Sequence, residues 1–249
     1  MTLQQLLAAT LSEMDGAIVE LGSLIPRPRA VPFRDGFVFR HVERLPRQAI
    51  LQKLTRIPAG LRAAQILCDH GYFQEQGALQ RMIDELGEDV FFLAVSLMFG
   101  GEEQIHRDYL DVFFTEEFEP ATGKPLSRQR PMVPRKKIRA YIAHSPIGTD
   151  DPSSHVEAGR TISKAYSGFV HAASPHIMET YGGVPPRFHT SGMLGTARER
   201  EYREDILKYY NRGLGAFVIG ARAIGNEPAY LRLYALSQAY ASFGAGGAP

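Results

Sequence analysis

Residues 163–183, SKAYSGFVHAASPHIMETYGG, place hydroxyl, ammonium and imidazole groups in an otherwise small and apolar stretch. If residues 154–181 are helical, polar side chains recur at steps of three and four and form one stripe. They are Glu157, Arg160, Lys164, Ser167 and His171. Arginine and lysine can bind a phosphate, and a histidine transfers protons near neutral pH. The same stripe is also typical of a solvated helix face in which His171 caps or packs.

A second candidate is a basic segment between residues 124 and 139, which contains no acidic residue. Its cations are Lys124, Arg128, Arg130, Arg135, Lys136, Lys137 and Arg139. In a chain of net charge +1, this local concentration of positive charge predicts salt-dependent contact with phosphates. Tyr141 follows it and can stack on a base. The alternative is a solvated loop, or one that pairs with the acidic residues Glu116, Glu117 and Glu119.

Two phrases of the sequence, AYSGFVHAAS and RAAQILCDHGYFQEQGALQRMIDEL, resemble HEPN-like proteins, and the resemblance extends over about residues 46–181. Those proteins are small all-α domains common in prokaryotic toxin and antiviral defence systems. The resemblance implies metal-independent RNA cleavage, often by a dimer, with a catalytic signature of an arginine, four to six residues and a histidine.

RAYIAH matches the spacing of that signature with Arg139 and His144. In the implied role, the histidine moves a proton on or off the ribose 2′-OH or the leaving oxygen, and the arginine holds the scissile phosphate. The sequence departs from the family pattern at two points. Ala140 stands where a polar residue usually follows the arginine, and His144 precedes Pro146 near a helix end rather than mid-helix. His171 is the alternative catalytic histidine.

A metal centre is a rival interpretation. Glu103 and His106 have the Glu-x-x-His spacing with which di-iron helical bundles aim two ligands inward. His176 and Glu179 show the reverse order, on a segment that Pro175 disturbs. Because such a centre needs two Glu-x-x-His pairs and two further glutamates, the sequence supplies only part of it.

Composition and charge narrow the function classes. The chain has 249 residues, 44% of them apolar and 22% charged, as in an ordinary globular protein. Its one cysteine, Cys68, excludes an internal disulfide and a cysteine-based zinc site and favours a reducing compartment. There is no run of about 18 apolar residues, and the N-terminus lacks the basic region of a signal peptide. We therefore predict a cytoplasmic protein without a membrane partner.

Helical periodicity dominates the elements that must position these side chains. Helices are predicted over residues 2–22, 45–71, 72–99, 102–118, 135–144, 154–181, 196–224 and 227–243. Pro58 should kink or split the second of these helices, and Pro175 should bend the sixth. Residues 37–41 could form a short strand or an extended arm, and no sheet is predicted. The sequence thus predicts an all-α bundle of about eight helices in one domain, residues 1–249, with the loop 119–134 as the place where it would subdivide.

These observations leave three hypotheses. The first is a HEPN-like ribonuclease, or the nucleic-acid-binding component of a toxin or defence system, with Arg139, His144 and His171 as candidate catalytic residues. Its nucleic-acid contacts would be Lys124, Arg128, Arg130, Arg135, Lys136, Lys137, Tyr141, Arg160 and Lys164. It needs no cofactor, and its partners would be RNA and either a second copy of the chain or another protein. The second hypothesis is a non-catalytic helical scaffold, and the third is a metal-dependent enzyme that uses Glu103 and His106.

Overall fold

A computed structural model describes residues 2–126, 132–148 and 151–245, without the side chains of Pro152, His155 and residues 241–245. Within these ranges the chain forms nine α-helices, which confirms the predicted all-α bundle. The helices are α1 (Leu3–Ser23), α2 (Pro46–Asp69), α3 (Phe73–Val95), α4 (Gln104–Phe113), α5 (Arg135–Ala143), α6 (Pro152–Val170), α7 (Ser174–Met178), α8 (Glu199–Ile224) and α9 (Glu227–Ala245). A π-helical segment, Ser96–Gly100, extends α3.

The ends of α2 follow from local chemistry. Pro46 begins the helix, where its missing N–H costs no hydrogen bond. At the other end Gly71 has φ +76°, a left-handed conformation that a side chain would strain. The amides of Gly71 and Tyr72 then donate to the carbonyls of Cys68 (3.0 Å) and Leu67 (2.8 Å) and close the last turn. The helix continues through Pro58, so the predicted split does not occur.

The helix α3 lies at the centre of the bundle and contacts α2, α5, α6 and α8. Its buried apolar side chains, such as Val90 and Leu93, join a hydrophobic cluster that includes Leu6 of α1 and Phe217 of α8. Such burial supplies most of the stability of helices of this length. The elements that carry the candidate site are therefore fixed against one core.

Two short β-hairpins accompany the helices. The strand β1 (Arg29–Phe33) pairs antiparallel with β2 (Gly36–Arg40), and β3 (Tyr181–Gly182) pairs with β4 (Arg187–Phe188). The first hairpin differs from the sequence prediction, which included no sheet. Pro32 is tolerated because each strand has an edge that needs no partner. The amide of Arg34 at the turn donates to the carbonyl of Pro120 (2.9 Å), and this hydrogen bond joins the hairpin to the loop that follows α4.

The first and last helices lie side by side. The hydroxyls of Thr10 in α1 and Tyr240 in α9 share a buried hydrogen bond of 2.7 Å. Arg232 of α9 forms ion pairs with Glu13 and Glu20 of α1. The contact therefore joins parts of the chain that are far apart in sequence. Among the described residues, no helix is both long enough and apolar enough to cross a membrane.

Candidate functional site

The helix α3 presents acidic side chains that the cations of neighbouring helices neutralise. Arg139 of α5 makes a two-pronged contact with Glu88, with Nε–Oε1 at 2.7 Å and Nη2–Oε2 at 3.3 Å. Its side chain is only 10% exposed. Because Glu88 neutralises the guanidinium and the side chain is almost completely buried, Arg139 can bind a phosphate only if the Glu88 pair opens.

Asp89 is the most deeply buried acid on this face. It accepts hydrogen bonds from Lys53 of α2 (2.7 Å) and from Arg135 of α5, and the Lys53 and Asp89 side chains are 9% and 4% exposed. The Lys53 ammonium also lies 4.6 Å from the ring centroid of Phe113, a cation–π contact. Burial disfavours the Arg135 cation, but Asp89, Glu85 and Glu88 together outweigh that effect and raise its pKa. These contacts join α2, α3 and α5.

The opposite face of α5 is exposed. Lys136, Lys137 and His144 are exposed there. Lys137 and His144 are seven positions apart and share one side of the helix, and Lys136 lies about 80° away around its axis. Neither lysine forms an ion pair with any residue in the described ranges. The predicted basic segment is thus divided by the helix: Arg135 and Arg139 face the core, and Lys136 and Lys137 face solvent.

The His144 ring has a defined orientation. It lies at the C-cap of α5, and its Nδ1 is 2.7 Å from the carbonyl oxygen of Ala140. Because a carbonyl only accepts, Nδ1 must carry a proton. In the neutral ring Nε2 is then an unprotonated acceptor. No residue in the described part of the chain hydrogen-bonds Nε2, and the side chain is exposed, so Nε2 can accept a proton from a bound molecule.

Tyr141 is held within the fold. Its hydroxyl donates to Glu103 (3.3 Å), and its ring packs edge-on against Phe92 and His106, with centroids 5.4 and 4.8 Å apart. Burial, and then the Glu103 carboxylate, raises the pKa of the phenol. These contacts therefore fix the position of the Tyr141 ring.

Glu103 and His106, the proposed metal ligands, form the N-terminal cap of α4. The Glu103 amide donates to His106 Nδ1 (3.1 Å), while the Glu103 carboxylate accepts from the His106 backbone amide. The imidazole is fully buried and stacks on Phe92 with centroids 4.4 Å apart. Since Nδ1 accepts a hydrogen bond, the neutral ring carries its proton on Nε2. In the described ranges, no three His, Cys, Asp or Glu side chains group as metal ligands would.

His106 should make the stability of the protein depend on pH. Burial lowers the pKa of the imidazole from its usual 6.5, an effect that Glu103 only partly offsets. The unfolded chain therefore binds the proton more tightly than the folded chain does. The contribution of neutral His106 to the free energy of unfolding is fully present above the unfolded pKa and is lost as pH falls below it. The loss reaches at most about 1.4 kcal/mol per pH unit.

The substitution His106→Phe keeps an aromatic ring on Phe92 and removes the titrating group. We expect its free energy of unfolding, measured in urea at several pH values, to decrease less steeply than that of the wild type below about pH 6.5. Parallel pH profiles for the two proteins would show that His106 is not the group responsible.

The segment 163–183 folds as two helices separated by a break. α6 ends at Val170, His171 is its C-cap, and Ala172 has φ +50°. The break therefore comes before Pro175, which lies in the first turn of α7 instead of bending a continuous helix. The chain can leave α6 here because Ala172 adopts the left-handed conformation common after helix ends.

His176, rather than His171, is the packed histidine of this segment. Its Nε2 hydrogen-bonds the Ala165 carbonyl oxygen (2.9 Å), and its ring packs edge-on against Phe169 with centroids 4.5 Å apart. A Cβ atom at Gly168 would lie 2.0 Å from the His176 ring. The glycine thus permits the close approach, and His176 is a packed side chain.

The polar stripe of α6 lies in solvent. Arg160 forms an exposed ion pair with Glu157 (2.8 Å), and Lys164 and His171 are exposed. Phe169 of α6 packs where a Cβ at Gly77 of α3 would be, whereas Arg139 of α5 binds Glu88. Eleven helical residues separate the two positions on α3, about 16 Å. The two candidate histidine sets are therefore anchored at different places along α3.

The remaining predicted contacts lie elsewhere. Lys124 is exposed in the loop that follows α4, which the hairpin β1–β2 contacts through Arg34. Arg128 and Arg130 lie outside the described residues. The sequence reasoning missed Lys53, Glu88 and Asp89. The spacing of the acidic residues on α3 could have indicated them. Four carboxylates share one side of this helix and require cations from other elements: Asp84, Glu85, Glu88 and Asp89.

Comparison with known proteins finds no family model, curated protein or solved structure that matches this chain.

Proposed function

We propose that this chain is an RNA-binding protein of the HEPN-like type, which contacts the phosphate backbone through the exposed face of α5. The carrying observation is that Lys136 and Lys137 share this face with the Nε2 atom of His144 and make no ion pair within the described ranges. Unpaired lysine ammonium groups bind phosphates by releasing counterions. From Lys136 to His144 the face extends about 12 Å along the helix.

The same face supports cleavage of the bound strand. Neutral His144 would take the proton of a ribose 2′-OH at Nε2, while Nδ1 stays bonded to Ala140. The 2′-oxygen would then form a bond to phosphorus, and the bond from phosphorus to the 5′-oxygen would break. The imidazolium returns its proton to that leaving oxygen, so that a 2′,3′-cyclic phosphate and a 5′-hydroxyl result. The lysines would hold the phosphate during this exchange.

Arg139 enters this proposal as a positioning residue. Its contact with Glu88 holds α5 on α3 and therefore fixes where the following turn presents His144. The hydrogen bond from Tyr141 to Glu103 holds α5 on a different side of the helix. Arg139 would thus influence cleavage without touching the phosphate.

Removal of the two lysines tests the binding surface. We expect the variant Lys136→Ala/Lys137→Ala to bind single-stranded RNA roughly 25-fold more weakly at 0.1 M salt, with a salt-dependence slope smaller by about 1.4, because two phosphate contacts are lost. Fluorescence anisotropy of a labelled oligonucleotide across a salt series gives both quantities.

The variant Lys124→Ala/Lys164→Ala is the matched control, since it removes two exposed lysines and the same charge from other surfaces. It should retain the wild-type affinity and slope. If both double variants lose affinity equally, binding depends on net charge alone and the proposed role of α5 is wrong.

A further inference from the structure

A cavity of about 550 Å³ lies between the β1–β2 hairpin, α2 and the segment after α4. This volume is in the range of small-molecule sites. Its aromatic lining consists of Phe39, Phe113, Phe114 and Phe118. Phe113 and Phe114 contact each other edge to face, with centroids 4.8 Å apart. The cavity thus offers apolar ring surface to a flat ligand.

Three polar side chains reach this cavity without a partner in the described part of the chain. They are His41, Arg44 and Gln52. The Nδ1 atom of His41 is buried and makes no hydrogen bond. Buried polar atoms are normally paired, so the His41 ring is not fixed by a hydrogen bond and can turn its nitrogens toward a molecule in the cavity.

The charges around the cavity balance. Arg40 and Arg44 line it together with Glu116 and Glu117, and Arg40 donates to Glu116 through Nη2 (3.0 Å). Among the described residues that line the cavity, two cations and two anions leave no formal excess, so this part of the lining does not favour a polyanion. The side chains offer both donors and acceptors, since an amide has both and a neutral imidazole has one of each.

We propose that this cavity binds a single nucleobase, stacked on its phenylalanine rings and hydrogen-bonded by Gln52, His41 and Arg44. A nucleobase is flat, uncharged and edged with donors and acceptors, which matches the lining in shape, charge and polarity. The base could belong to a free nucleoside or to a single-stranded RNA. The site uses none of the α5 side chains, so it does not depend on the proposed phosphate-binding surface.

The test uses the nucleoside 2-aminopurine riboside, whose fluorescence is quenched by stacking. The protein contains no tryptophan, so its own emission interferes little. We expect saturable quenching by the full chain and at least about fivefold weaker binding by Phe39→Ala, because one stacking surface is lost. Phe37→Ala is the matched control: Phe37 and Phe39 are 62% and 61% exposed on β2, but only Phe39 is among the cavity-lining residues.

A second variant, Gln52→Met, removes the amide and keeps the length of the side chain, and it should also weaken binding. Displacement of the probe by a short single-stranded RNA identifies a base within a strand as the ligand, and displacement by adenosine alone identifies a free nucleoside. Either result supports the site. Absence of saturable quenching, or equal loss in Phe39→Ala and Phe37→Ala, overturns it. The variant Lys136→Ala/Lys137→Ala should bind the probe as the wild type does. A failure of the proposed phosphate-binding surface on α5 can therefore be distinguished from a failure of the cavity site.

Discussion

Replacement of Asp89 by alanine is expected to destabilise the protein by about 3–5 kcal/mol, because it leaves the buried Lys53 ammonium without its carboxylate. Lys53 of α2 would lose its ion-pair partner, whereas Arg135 of α5 would lose its contact with Asp89 and keep the longer ones with Glu85 and Glu88. The Lys53 side chain is only 9% exposed, so its charge would stay buried and unpaired. Urea denaturation followed by circular dichroism measures this loss directly.

The matched control is Glu157→Ala, which removes a carboxylate whose ion pair with Arg160 is exposed. That change should cost no more than about 1 kcal/mol. If the Asp89 and Glu157 variants were equally stable, the Lys53–Asp89–Arg135 network would be solvated in solution and would not hold α5 to α3.

Replacement of His144 by alanine is expected to reduce RNA cleavage by about 10²–10⁴-fold, because it removes the group that would exchange the proton. The reaction should be followed in EDTA with a labelled oligonucleotide, and the product should carry a 2′,3′-cyclic phosphate. RNA affinity should decrease much less, since the two lysines would still hold the strand. The separation of cleavage from binding distinguishes proton transfer from a merely structural effect.

The control for this variant is His171→Ala, which also removes an exposed histidine at a helix C-cap. It should cleave as the wild type does. Loss of cleavage in the His171 variant, with activity retained in the His144 variant, would move the reaction to α6 and contradict the role given to α5.

Helices with strong local signals could be predicted from the sequence. The amphipathic repeat of α1 gave its bounds within a residue, and Pro46 and Gly71 marked the limits of α2. The single helix predicted over residues 154–181, with a bend at Pro175, was wrong: α6 ends at Val170, because the chain turns at the left-handed Ala172. A proline forms a visible sequence signal, whereas an alanine in that conformation does not.

The candidate site could be predicted only in part, and the reason is physical. Spacing along a helix shows that Arg135 and Arg139 share one face while Lys136 and Lys137 lie on another. It does not show which face is buried, since that depends on Glu88, whose contact with Arg139 spans 51 positions in the sequence. Long-range pairing of charges therefore decided which cations are exposed.

The pairing of α1 with α9 has a consequence for synthesis on the ribosome. Thr10 and Tyr240 are 230 positions apart, so at usual translation rates roughly 12–46 s pass between their incorporation. Leu6 and Met14 are fully buried in the finished bundle. During that time they lack the helices that have not yet been synthesised, and they are partly exposed to water. Chaperones that bind exposed apolar helices would therefore protect the nascent chain from aggregation until translation ends.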